Sequence, residues 1–103
     1  MSTTVKNVNE LNERTNNGIS VVDFYADWCG PCKALSPTLS QLESNNENLN
    51  IIKVNVDDSP ELAQTYQVRG IPTLVFFKDG KVKGSVTGNI SLADLQNRIN
   101  DIH

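Results

Sequence analysis

Histidine, methionine and tryptophan each occur once in this chain, and cysteine only twice. A structural zinc site asks for about four ligands, and the single histidine, His103, stands at the last position, so zinc is disfavoured and no metal is expected. No apolar run approaches the ~18 residues that a membrane-spanning helix requires. Nine Lys and Arg against twelve Asp and Glu leave a net charge of -3, with no basic cluster. That balance argues against nucleic acid and anionic lipid as partners. Repeats, linkers and low-complexity tracts are missing, and at 38% hydrophobic residues the chain is too apolar for disorder. Its 103 residues suit one domain, 1–103, that buries roughly two-thirds of its unfolded surface without staples. Nothing suggests an obligate dimer, so a monomer is expected.

The segment Met1 to Asn7 lacks the apolar stretch of a secretory signal and the arginines of a transit peptide. The expected location is therefore cytoplasmic. In such a reducing compartment a lone cysteine pair is catalytic or metal-binding more often than structural.

Both cysteines fall in Trp28-Cys29-Gly30-Pro31-Cys32. Two intervening residues let the sulfurs meet. If Cys29 opens a helix, the helix N-terminus favours its thiolate, the attacking species in disulfide exchange. Cys29 is expected to be exposed, and Cys32, one turn further in, more buried and suited to a second attack. Gly30 allows close backbone approach, and Pro31 fits a first helical turn. The pair can then pass two electrons by cycling between dithiol and disulfide. A purely structural bridge is the competing reading, although so short a loop restrains the unfolded chain little.

Thr3 to Lys6 is a weak strand, and Val8 to Arg14 a helix with Val8 and Leu11 inward. Val21 to Tyr25 reads as a strand buried on both faces. Leu35, Leu39 and Leu42 then repeat at helical spacing, with Pro37 expected to kink that helix. Ile51 to Val56 is the next strand. Ser59-Pro60-Glu61 reads as a cap and helix start, running to about Tyr66. Thr73 to Phe77, the turn Asp79-Gly80 and Val82 to Thr87 form a hairpin. Ser91 with Asp94 opens a last helix that buries Leu92, Leu95, Ile99 and Ile102. The order βαβαβαββα predicts an α/β fold: a mixed central β-sheet flanked by helices on both faces.

The chain resembles the thioredoxin family at Trp28-Cys29-Gly30-Pro31-Cys32-Lys33. The likeness extends through Val21-Val22-Asp23-Phe24-Tyr25-Ala26, Arg69-Gly70-Ile71-Pro72-Thr73, Phe77-Lys78-Asp79-Gly80-Lys81 and Gly88, roughly residues 5 to 100 in order. It implies a thioredoxin fold and a protein-disulfide oxidoreductase, with Cys29–Cys32 as the redox-active disulfide. Cys29 would attack the target and Cys32 would resolve the intermediate. Asp23 would lie beneath them and carry protons, with Lys53 tuning its charge. On the residues alone, Asp23 is equally a solvent-facing strand residue and Lys53 a snorkelling one. Pro72 follows Ile71 in a bond that base rates make trans. The family makes it cis, turning the Ile71 backbone toward the sulfurs for an extended substrate. Trp28, Ile71, Pro72 and Gly88 would form an apolar docking patch, although Trp28 alone also suits a core. Tyr25 and Ala34 depart from the family, which often has tryptophan and methionine there.

The resemblance implies no bound cofactor, with electrons from NADPH through thioredoxin reductase. Its targets would be disulfide-containing proteins such as ribonucleotide reductase or a peroxiredoxin. The Gly-Pro pair is the reducing version, and the general value for thioredoxins is about −270 mV against about −120 mV for a strong oxidant. Two other readings stay open: a redox-independent accessory subunit, and a dedicated reductant of one target.

Overall fold

Successive side chains of a strand point to opposite faces of a sheet, so the apolar run at Ile19–Tyr25 demands cover on both. The computed structural model, which describes residues 3–103, provides it. The elements are β1 (Thr3–Thr4), α1 (Val8–Thr15), β2 (Ile19–Tyr25), α2 (Gly30–Asn45), β3 (Asn50–Asn55), α3 (Pro60–Thr65), β4 (Thr73–Lys78), β5 (Lys81–Thr87) and α4 (Leu92–Ile102). The strands lie in the order β1-β3-β2-β4-β5. β3 runs parallel to β1 and β2, whereas β4 is antiparallel to both β2 and β5. This is the expected mixed α/β sheet with β2 at its centre.

Each face has its own core. Ile19 and Val21 join Ile51, Leu74 and Phe76 beneath Leu35, Leu39 and Leu42 of α2 and Leu95 and Ile99 of α4. Val22 and Phe24 join Ile52, Val54, Val75 and Phe77 beneath Leu11 of α1 and Leu62 of α3. The leucine spacing that predicts α2 is thus its buried stripe. That helix continues as one element through the exposed Pro37.

Local signals explain most boundaries. Asn7 Oδ1 accepts from the Glu10 amide at 2.9 Å, and Ser91 Oγ accepts from that of Asp94 at 3.1 Å, capping α1 and α4. Asp79 and Gly80 take φ of 49° and 85°, the left-handed pair that a two-residue hairpin needs. Past that turn, Lys83 is left over between the Phe77–Val82 and Phe76–Gly84 pairs, forming a bulge on the exposed edge strand β5. Asp79 Oδ1 also accepts from the Gly18 amide at 2.8 Å, tying the hairpin to the start of β2.

Three expectations need correction. Val8 is 42% exposed, because the inward stripe of α1 runs through Leu11 and Thr15. β1 is confined to Thr3–Thr4, although the following Val5 is buried. Ser59 occupies the cap position of α3 without capping it, since its hydroxyl donates instead to the Lys6 carbonyl at 3.0 Å. That bond crosses between distant segments, which no local pattern encodes.

Candidate active site

Because β2 and β3 are parallel neighbours, their carboxyl ends and following loops share one edge of the sheet, where open α/β folds place their sites. The Val56 amide donates to the Tyr25 carbonyl at 2.9 Å, joining the two loops. Across them the Trp28 indole Nε1 donates to Asp57 Oδ2 at 2.8 Å. Trp28 is 70% exposed and so is a surface residue rather than part of the core.

Cys29 is the N-cap of α2, and it forms a disulfide with Cys32 across a Cα separation of 5.3 Å. The Cys32 amide donates to Cys29 Sγ at 3.2 Å. An amide donor and a helix N-terminus are the kind of groups that favour a thiolate over a thiol. Both cysteines are only 4% exposed, so the expected contrast between an open Cys29 and a deeper Cys32 is absent in this oxidised state. The two cysteines cluster with Ala26, and Tyr25, Val56 and Ile71 pack around them.

The Ile71-Pro72 peptide is cis, as the family resemblance implies and against the base rate. The Ile71 carbonyl lies 3.9 Å from Cys29 Sγ. Gly88, at φ 93°, sends its amide to the Pro72 carbonyl at 2.8 Å. Of the four residues expected to form a docking patch, Trp28 is exposed and Ile71 and Gly88 are half-buried. Pro72 is buried and contributes shape rather than exposed area. A Cβ built at Gly30 meets nothing within 4 Å, so the space above it is open.

Behind the disulfide, Asp23 is 1% exposed and hence no solvent-facing residue. It lies on the same sheet face as Val21, under α2, where the apolar layer is interrupted. Burial raises its carboxyl from the usual 3.8 to about 6, while the Lys53 charge pulls it back down. Asp23 and Lys53 are register partners across β2 and β3. Asp23, Cys32, Ser36 and Lys53 line a common cavity of about 120 Å³, and Asp23 Oδ1 has no hydrogen-bond partner among the described residues. Lys53 Nζ instead reaches Ser36 Oγ at 3.4 Å and stands 5.4 Å from the centre of the Tyr25 ring.

The structure thus gathers Cys29, Cys32, Asp23 and Lys53 at one sheet edge, with Ile71 packed against the cysteines and the exposed Trp28 beside Cys29 in the chain. Ser36 and Asp57 escape a reading of the sequence. Ser36 stands four residues after Cys32, on the same helical face, and Asp57 follows the strand beside β2; both signals need the register before they speak. Among the described residues no group of three or more His, Cys, Asp or Glu is placed to hold a metal ion.

Known proteins share both this sequence and this fold. The thioredoxin family model matches residues 2–101. A thioredoxin of Chlamydia caviae is 45% identical over 84 residues, covering 82% of each chain. A single-site mutant of the thioredoxin from Halobacterium salinarum superposes with a TM-score of 0.92 at 38% identity, covering 97% of this chain and 88% of that one. A chain in a structure of the yeast mitochondrial 1-Cys peroxiredoxin thiol-resolving mechanism, via glutathione and thioredoxin systems, superposes with a TM-score of 0.88 at 35% identity, covering 96% and 93%. A cysteine pair closed at a helix tip, in a chain that the family model matches over residues 2–101, puts this protein in the thioredoxin family, the protein-disulfide oxidoreductases that work by dithiol–disulfide exchange.

Proposed function

We propose that the chain is a general protein-disulfide reductase in the cytoplasm. The observation that carries this reading is the Cys32 amide aimed at Cys29 Sγ where α2 begins. In the reduced protein the Cys29 thiolate attacks one sulfur of a target disulfide. A mixed disulfide forms, and the other target sulfur leaves as a thiolate and takes a proton. Asp23 removes the proton from the Cys32 thiol, and the Cys32 thiolate attacks Cys29 Sγ. The second target thiolate leaves, so the target gains two electrons and Cys29–Cys32 closes.

A carboxyl held at about 6 can accept and return a proton near neutral pH, which supports Asp23 in that role. Lys53 tempers the cost of its charge. The target's extended backbone pairs with Ile71, whose carbonyl already stands beside Cys29 Sγ. Trp28 supplies apolar contact, Gly88 and Pro72 hold the loop, and open space at Gly30 lets the target approach. Pro31 keeps the first turn of α2 in shape.

Electrons return from NADPH through thioredoxin reductase, and the domain binds no cofactor and acts as a monomer. Ribonucleotide reductase and peroxiredoxins are fitting targets; the likeness to the chain in the yeast peroxiredoxin structure supports the second. A redox-independent accessory role is not favoured, since such a role has no use for a capped, closed cysteine pair. The test is insulin reduction with NADPH and thioredoxin reductase, with and without this chain. Marked acceleration is expected, and its absence would overturn the reading.

A further inference from the structure

We propose that Ser36 is a positioning residue for the exchange reaction: its hydroxyl holds the Lys53 ammonium against α2 and away from the buried Asp23 carboxyl. A hydroxyl has one proton to give and lone pairs to accept with, and Ser36 uses both. It donates to the Cys32 carbonyl at 3.5 Å and accepts from Lys53 Nζ at 3.4 Å. The Tyr25 ring, 5.4 Å from Nζ, supports the ammonium from another side. Asp23 and Lys53 are direct neighbours across the sheet, and Asp23 Oδ1 is buried without a hydrogen-bond partner among the described residues. An ammonium on a four-carbon stem would close on such an oxygen unless something else held it. Ser36 is that restraint, and it belongs to the helix that carries Cys32.

The consequence is chemical. An ammonium paired with Asp23 would favour the carboxylate and weaken its hold on a proton. Held at Ser36, the charge stays near enough to temper the burial cost without making that pair. The titratable and charged groups facing this cavity are Asp23 on β2, Tyr25 at its end, Asp27 in the following loop, Cys32 and Lys33 on α2, and Lys53 on β3. On the β4 side Asp23 is paired with Leu74, which is apolar.

This inference deepens the reading of Asp23 as the proton carrier, and its test is independent of exchange. The Asp23 carboxyl carbon is followed by NMR against pH in the oxidised protein, for the unchanged chain, Ser36→Ala, Ser36→Thr and Lys53→Met. Ser36→Ala is expected to move the midpoint to lower pH by about one unit, the effect of a newly paired charge. Ser36→Thr, which keeps the hydroxyl, is expected to leave it in place. In the Lys53→Met background Ser36→Ala is expected to change nothing. An unmoved or raised midpoint in Ser36→Ala overturns the proposal. So does an equal shift in Ser36→Thr, or a shift that persists without Lys53. If the midpoint moves as expected while insulin reduction fails, the reductase reading falls and the placement of Lys53 by Ser36 stands.

Discussion

The two faces of the sheet are built from the same strands and solve different problems. Under α1 and α3, Val22 and Phe24 of β2 meet an apolar layer that admits only a small uncharged group from this strand, the buried Ser20 hydroxyl at its start. Under α2 and α4, the stripe begins with Ile19 and Val21 in the same way, then meets Asp23. Among the clustered residues of the first face none is charged. The second accepts a desolvated carboxyl with an unpartnered oxygen, in a cavity it shares with one sulfur of the disulfide. A buried charge of this kind works against stability, and on β2 the ionisable interruption sits toward the carboxyl end, where the cysteines are. Packing and chemistry are thus divided by face and by strand end.

The largest break in that division comes from the sulfur side. Cys29→Ser should abolish insulin reduction, whereas Cys32→Ser should accumulate a mixed disulfide with the target, visible by mass spectrometry. Neither removes a residue from the two main apolar clusters. The opposite face should respond in stability alone. Phe24 is fully buried there, and Phe24→Ala should cost about 3–5 kcal/mol in urea denaturation. The fraction that remains folded should keep its reduction rate.

Asp23→Asn sharpens the comparison because it should act on both stability and rate. A carboxyl raised from 3.8 to about 6 binds its proton more tightly in the native state than in the unfolded chain. Its destabilisation is therefore absent below about pH 4, grows as pH rises toward about 6, and is complete above that. Asp23→Asn should be more stable than the unchanged chain by about 3 kcal/mol at pH 8, with no gain at pH 3.5. The same variant should slow resolution of mixed disulfides by Cys32, and rates unchanged between pH 6 and 9 would argue against proton transfer by Asp23. The smallest effect belongs to α4, on the active face but remote from the sulfurs. Ser91→Ala removes the hydroxyl that accepts from the Asp94 amide and should cost about 1 kcal/mol, with activity retained.

Legibility follows the range of the forces involved. The leucine period of α2, the Asp79-Gly80 turn and the Ser91 cap act within a few residues and can be read directly. Val8 and Ser59 mislead because their local patterns are sound but a tertiary partner, or the lack of one, prevails. Ser59 gives its hydroxyl to Lys6, far away in the chain. Asp23 is ambiguous for a deeper reason: the apolar run around it asks for cover on both faces, but only the packing over its end of β2 decides that this carboxyl is dry.

By itself the sequence determined that two sulfurs one helical turn apart would meet at the start of α2, because spacing, capping and the Gly30-Pro31 pair are local matters. It also determined the order of elements, since hydrophobic period and turn chemistry are written residue by residue. The tertiary structure alone decided that Asp23 is buried, that Lys53 faces it, that Ser36 holds Lys53, and that Ile71 stands beside Cys29. Desolvation and charge depend on neighbours brought from other strands and helices, and those neighbours exist only once the sheet has its register and α2 has closed over it.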